Sequence, residues 1–227
     1  MIPVRQTVKF DKKLLDKDAV KVVKTLIKAG YEAYLVGGCI RDLLLGYEPK
    51  DFDIATNATP EQVHKTFKRS RIIGRRFKLV HIMFSARKFI EVATFRAGKV
   101  KTSNSGVVVR DNFYGSLKDD VFRRDFTVNG LYYDLANSEV IDYVGGLGDL
   151  EAAEIKMIGN PKERFEEDPV RMIRAVRFKV KLSALLEPEL SQDISSNAHL
   201  LANIPPARLY EEVIKLFHNE NSIEVFN

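Results

Sequence analysis

A chain of 227 residues, 45% apolar and carrying a net charge of +5, can bury a sizeable core as one large domain or two small ones. No apolar run approaches the roughly 20 residues that cross a bilayer, and the N-terminus lacks a signal-peptide core, so no membrane role is expected and the cytoplasm is the default compartment. The single cysteine, Cys39, excludes an internal disulfide and argues against a thiolate metal site.

In chain order, residues 1–17 read as an extended arm. Asp18 is positioned to cap a helix with Val20, Val23 and Ile27 at helical spacing and Gly30 as its stop. The apolar run Ala33 to Val36 reads as a buried strand ending at Gly37-Gly38. A short helix from Ile40 to Leu45, closed by Gly46, follows. The next strand opens with Asp51-Phe52-Asp53. Residues i and i+2 of a strand point to one face, so Asp51 and Asp53 would lie side by side with Phe52 turned inward. Two acidic oxygen ligands at that spacing suit Mg²⁺, which completes its shell from water and substrate phosphates. Two consecutive glycines let a backbone approach a phosphate closely, and Arg41 lies one turn into the helix, within reach of a triphosphate. Taken alone, Asp-x-Asp equally describes a solvated strand end. Joined to Gly-Gly-x-x-Arg-Asp ten residues upstream, the pattern becomes specific.

Thr59-Pro60-Glu61-Gln62 is a capping box with Pro at the first helical position, for a helix running to about Lys68. The basic segment 65–78, with Arg69, Arg71, Arg75, Arg76 and Lys78, is either a solvated face or a footprint for a polyanion such as RNA. Strands are predicted from Leu79 to Ser85 and from Phe89 to Phe95. Glu91 in the second is an ordinary outward-facing residue, or a third carboxylate if it shares the face of Asp51 and Asp53. Residues 97–112 begin with small and polar side chains and read as a mobile loop. Ser116 caps a further helix, after which Arg124, Asp125 and Asn129 place polar groups in an otherwise apolar stretch, with Asp125 and Asn129 at helical i, i+4 spacing. Tyr132-Tyr133 and Val140-Ile141 read as a hairpin.

Gly145-Gly146 marks a boundary, giving a catalytic domain over residues 1–150 and a helical domain over 151–227. Asp168-Pro169 starts a helix with Val170, Ile173 and Val176 on its apolar side. Arg171, Arg174 and Arg177 form one flank, either solvated or presenting planar donor forks to bases and phosphates. Pro205-Pro206 opens a last helix with Leu209, Val213, Leu216 and Phe217 on one side.

Taken together, Gly37-Gly38, Arg41, Asp51-x-Asp53, Glu91, Arg124-Asp125, Asn129 and Glu167-Asp168-Pro169-Val170-Arg171 resemble the class II nucleotidyltransferases, the family of CCA-adding enzymes and bacterial poly(A) polymerases. The resemblance runs from about Ala33 to Phe217. Within the family, Gly74-Arg75-Arg76-Phe77-Lys78-Leu79-Val80-His81, Arg110-Asp111-Asn112 and Ile204-Pro205-Pro206-Ala207-Arg208-Leu209 are similar to the poly(A) polymerase branch. What the resemblance implies is an α+β fold, a palm-like head with a mixed sheet and flanking helices, followed by an all-helical neck. The family's body and tail domains would be missing or reduced, as in the front part of a longer enzyme.

The implied activity is template-independent addition of AMP from ATP to the 3′ end of an RNA primer, by a monomer. The alternatives are tRNA CCA- or A-addition and an RNA-binding remnant without catalysis. By the same resemblance Asp51, Asp53 and Glu91 hold two Mg²⁺ ions (Mn²⁺ as substitute). Gly37, Gly38 and Arg41 meet the triphosphate, and Arg124, Asp125 and Asn129 order the sugar and the polar network. Asp168 and Arg171 read the pairing edge of the base, supported by Arg174 and Arg177. No P-loop (G-x-x-x-x-G-K-[ST]) occurs, which argues against a P-loop ATPase.

Overall fold

The computed structural model describes residues 2–74, 78–97, 101–102, 108–110 and 114–218. The chain forms two compact units. One comprises Met1–Arg123 with Asn129–Val144, the other Arg124–Val128 with Gly145–Asn227.

The first unit runs β1 (Val4–Thr7), α1 (Lys17–Lys28), β2 (Ala33–Val36), α2 (Gly38–Leu44), β3 (Asp53–Thr56), α3 (Pro60–Thr66) and β4 (Ser70–Ile73). It continues with β5 (Leu79–Met83), β6 (Phe89–Thr94), β7 (Lys101–Thr102), β8 (Val108–Arg110), α4 (Leu117–Phe122), β9 (Tyr132–Asp134) and β10 (Glu139–Asp142). Eight of these strands form one mixed sheet in the order β1-β10-β9-β2-β3-β6-β5-β4; β3 and β6 are parallel and every other pairing is antiparallel. The predicted hairpin is β9–β10.

Side chains alternate across the pleat, so the register sorts the sheet into two faces. Leu35, Ile54 and Val92 align as one buried apolar row, and α1 packs on the three strands that carry them. Val36, Asp53 and Glu91 align on the opposite face, where Ala55, Phe95, Tyr132 and Ile141 build a core with Leu117 and Val121 of α4.

Local chemistry sets the helix starts. The cap of α1 is Asp16, not Asp18: its Oδ1 accepts from the amides of Asp18 (2.7 Å) and Ala19 (3.0 Å). The buried stripe is therefore Ala19, Val22, Val23 and Leu26, while Ile27, expected in the core, is 39% exposed. The expected capping box of Thr59 with Gln62 forms, and Ser116 makes a second one with Asp119, each contributing about 1 kcal/mol to its helix start. α3 ends at Thr66, two residues short of the expected Lys68. β3 begins at Asp53, leaving Asp51 just ahead of the strand; Phe52 is still buried between the two exposed acids.

The second unit contains α5 (Gly146–Glu151), β11 (Glu154–Ile155), α6 (Pro161–Glu167), α7 (Val170–Lys181), β12 (Leu185–Leu186), α8 (Pro188–Asn197) and α9 (Pro206–Phe217). Its core joins Phe126, Ile155, Met157, Phe165, Met172, Phe178 and Leu190. Residues 124–128 belong here because Thr127 N donates to Lys156 O (3.0 Å) and Ile158 N to Asp125 O (2.8 Å). Within that segment Phe126 makes an isolated antiparallel bridge with Met157 and Thr127–Asn129 form a 3-10 turn, so the helical pairing expected of Asp125 and Asn129 does not form. On α7 Val170 is buried as expected, but the rest of the buried side is Met172, Ala175, Phe178 and Val180, not Ile173 and Val176. Phe217, expected on the apolar side of α9, is exposed; buried Leu216 and half-buried Leu209 and Val213 make that side. Among the described residues no helix is long and apolar enough to cross a membrane.

Candidate active site

Hydrogen-bond register brings the acids together in the first unit. Asp53 lies opposite Glu91 across the parallel β3–β6 pair, and Glu91 lies opposite His81 on β5. His81 Nε2 is 3.1 Å from Glu91 Oε2, and its ring stacks on Phe89 with centroids 4.0 Å apart. Glu91 is thus the face-sharing carboxylate, oriented by an imidazole. Asp51, two residues before Asp53, is exposed beside this row. Among the described residues no three His, Cys, Asp or Glu side chains converge tightly enough to hold a cation by themselves. The donor set nevertheless fits Mg²⁺, which takes one or two carboxylates and leaves several positions to water and phosphate oxygens.

The glycines begin α2. Gly37 has φ +77°, a conformation that L side chains rarely adopt, and this sharp turn lets Gly38 enter the helix directly after β2. Arg41 is only 2% exposed. Its Nε and Nη2 donate to Asp42 Oδ1 (2.8 and 2.6 Å), and its Nη1 donates to Asn129 Oδ1 (2.5 Å). Arg41 thus ties the start of α2 to Asn129. Cys39 is buried, and burial followed by the charge of Asp53 pushes its thiol up to about 12.

The second unit holds a polar cavity of about 310 Å³ lined by Arg124, Asp125, Asp168, Arg171 and Arg174, with α9 contributing Arg208. Arg174 donates to Asp125 Oδ2 through Nε (2.8 Å) and Nη2 (2.5 Å). Asp168 Oδ2 accepts from Arg208 Nη2 (2.6 Å). Arg171 Nη1 donates to Glu167 Oε2 (2.8 Å) and to the Arg164 carbonyl (2.7 Å). Arg177 does not line the cavity; its Nε donates to Glu212 Oε2 (3.1 Å).

Glu212, on α9, was not anticipated. It is 6% exposed and also lies 3.6 Å from Arg174 and 3.2 Å from Lys215. Burial alone would raise its carboxyl, but Arg177, Arg174 and Lys215 outweigh that and hold it below the usual carboxylate range. The available signal was a lone acid at the core spacing of Leu209, Val213 and Leu216.

Of the basic segment, Arg69 and Arg71 are exposed, and Arg71 pairs in register with His81. Lys78 forms an ion pair with Glu61 at 2.8 Å. Arg75 and Arg76 lie outside the described residues, as does most of the predicted 97–112 loop, of which the strand pair β7–β8 is described.

Residues 33–156 match the family described as "Poly A polymerase head domain", and residues 186–227 match "Probable RNA and SrmB- binding site of polymerase A". The poly(A) polymerase I of Salmonella typhimurium is 52% identical over 227 residues, covering 96% of this chain and 48% of that protein. The CCA-adding enzyme of Bacillus pumilus is 40% identical over 198 residues, covering 87% and 49%. Among solved structures, the Bacillus stearothermophilus CCA-adding enzyme in complex with CTP aligns with a TM-score of 0.79 at 37% identity, covering 92% of this chain and 50% of that one. The chain spans about half the length of the curated relatives it matches. With more than half of its residues matched and the mixed sheet formed, the chain belongs to the poly A polymerase head-domain family of nucleotidyltransferases.

Proposed function

We propose that the chain carries the nucleotidyl-transfer centre of an enzyme that adds AMP from ATP to RNA 3′ ends without a template. The observation that carries this reading is the pairing of Asp53 with Glu91 on one sheet face, one strand from the Gly37-Gly38 turn. The named poly(A) polymerase relatives, identical at about half of all positions, support the choice of AMP.

In this reaction a 3′-hydroxyl attacks the α-phosphorus of ATP, forming a new phosphodiester bond and expelling pyrophosphate. Asp51, Asp53 and Glu91 would hold Mg²⁺, or Mn²⁺ in its place. The ions supply charge neutralisation at the attacking and leaving oxygens when bound. His81 keeps the Glu91 carboxylate in one orientation. The turn at Gly37 and Gly38 offers backbone that a triphosphate can approach, held in shape by Arg41, Asp42 and Asn129. Asp168 and Arg171 read the base: a carboxylate acceptor beside a guanidinium donor matches the N6 amine and N1 of adenine. Arg124 and Asp125 complete that polar cavity, and Arg174 and Arg177 fix its walls.

A second reading, CCA- or A-addition to tRNA, is favoured by the 40% identity to a CCA-adding enzyme and the likeness to a CTP complex. The cytosine edge also presents an amine beside an acceptor, so Asp168 and Arg171 suit both bases. A non-catalytic RNA-binding remnant is the third. Incubating the full-length protein with RNA and each labelled nucleoside triphosphate separates them. Long A tails support the proposal and C incorporation at tRNA ends overturns it in favour of the second reading. RNA binding without pyrophosphate release leaves the remnant.

A further inference from the structure

The buried side of α1 packs on the sheet, and its outer side is a stripe of cations. Lys17, Lys21, Lys24 and Lys28 follow one another at helical spacing, so they share one face, and all four are exposed. At 1.5 Å per residue the stripe spans about 16 Å. Among the described residues none of the four has an acidic partner; the neighbouring Asp16 and Asp18 are both taken by Lys88, at 2.8 and 2.6 Å. Lys21 also lines a groove of about 300 Å³ with Lys68, Arg69, Phe67, Ile82 and Phe84. Among the described residues the groove lining carries three cations and no acid, around a mostly apolar floor in which Phe67 and Phe84 are half-buried. Stripe and groove are continuous through Lys21.

We propose that this surface binds single-stranded RNA, with phosphates along the α1 lysines and a base against the Phe67 and Phe84 rings. Since α1 covers the Leu35–Ile54–Val92 face, the contact lies on the sheet face opposite Asp53 and Glu91, and is separate from the transfer centre. Cations that track a backbone beside aromatic rings are the means by which proteins hold single strands regardless of sequence. An anionic membrane fits less well. Ala19, Val22, Val23 and Leu26 are each 0% exposed, which leaves Ile27 as the one exposed large apolar side chain of the helix, too little to insert, and the groove is concave. An acidic peptide would meet the cations but leave the rings without a planar partner. The choice of RNA rests on the nucleotidyltransferase reading, whereas the binding itself can be measured without turnover.

The test uses the full-length protein and fluorescence anisotropy of a labelled, unstructured oligoadenylate across a salt series. Combined K17Q/K21Q/K24Q/K28Q should weaken binding about tenfold and flatten the log–log salt slope by about 2 to 3, each lost phosphate contact on a single strand removing about 0.7. Phe84→Leu should weaken binding several-fold and leave the slope unchanged, because stacking releases no counterions. Circular dichroism and melting check that both variants fold. AMP transfer to a primer too short to reach the groove should be unaffected. If affinity and slope match wild type in the lysine variant, the proposal is wrong. If binding to phosphatidylserine vesicles falls with the lysines while RNA binding does not, the surface belongs to a membrane. If Phe84→Leu has no effect and duplex RNA competes as well as single-stranded, only a general electrostatic patch remains and the groove is rejected. Absence of transfer in wild type would remove the polymerase reading and leave the binding result to stand by itself.

Discussion

Asp53 and Glu91 stand 38 positions apart in the chain and become neighbours through the parallel β3–β6 register. Both sit on the less buried face, and neither contributes to the apolar core, so removing their charge should leave the fold intact. Asp53→Asn and Glu91→Gln are therefore expected to lower AMP transfer about 10³-fold or more, equivalent to about 4 kcal/mol of lost barrier reduction, at unchanged melting temperature. Single-turnover rates beside thermal melts check this; turnover within a few-fold of wild type would remove the metal assignment. Cys39 gives an independent check on the same corner of the sheet. Its Sγ donates to the Val36 carbonyl at 3.3 Å, and burial followed by the nearby charge of Asp53 raises its thiol to about 12. A thiol reagent at neutral pH should leave it unmodified in the native protein and label it at once in urea. Rapid native labelling would mean that the strand–turn–helix packing around Gly37 is looser than described.

At the scale of elements, α9 is fastened to α7 by Glu212, which meets Arg174 and Arg177 from a buried position. Glu212→Gln keeps the shape but removes the charge facing two guanidinium groups, so a loss of about 3 kcal/mol from the second unit is expected. The pH dependence has a definite sign. The carboxyl is depressed in the folded state, so its stabilisation is fully present above the ordinary carboxylate value of 4.5 and is lost as pH falls through the lower folded value. Wild type should lose stability on acidification below about pH 5 more steeply than Glu212→Gln, as chemical melts across that range would report. Identical acid profiles would show that the pair is too solvated to matter.

This ion pair also marks the limit of what the sequence discloses. Several turns and caps were legible because their causes are local: Thr59 with Gln62, Ser116 as a cap, the glycine turn before α2, the β9–β10 hairpin; the α1 cap fell two residues earlier than read, at Asp16. Asp51-x-Asp53 stands out locally in the sequence, but β3 begins at Asp53, and the acid set opposite it is Glu91, through the long-range β3–β6 register. The pairings of Arg41 with Asn129, Arg174 with Asp125 and Glu212 with Arg177 were not legible, since each joins residues distant in the chain. The buried stripes of α1 and α7 were read only in part: Val23 and Val170 are buried as expected, while Ile27, Ile173 and Val176 give way to their neighbours Leu26, Met172 and Ala175. Several apolar side chains on each helix compete for the core, and only the packing partner decides between them.

At the scale of the whole molecule, the two units carry two different sets of polar residues. The first unit holds the acids and the glycine turn; the second holds the cavity of Asp125, Asp168 and Arg171. If chemistry belongs to one set and base choice to the other, their variants should fail differently. Loss of Asp53 or Glu91 lowers transfer from every nucleoside triphosphate by a similar factor, because the reacting phosphates are common to all four. Loss of Asp168 removes an acceptor that only amine-bearing bases can use. One such charged hydrogen bond is worth about 1.5 to 3 kcal/mol, so Asp168→Ala should lower the kcat/KM preference for ATP over UTP by roughly 10- to 150-fold. UTP transfer itself should change little, because uracil offers a carbonyl where adenine offers its amine. Competition assays with paired labelled nucleotides read the ratio directly. An equal fall for ATP and UTP in Asp168→Ala would mean that the cavity supports the chemistry without choosing the base, and the assignment of specificity to the second unit would have to be given up.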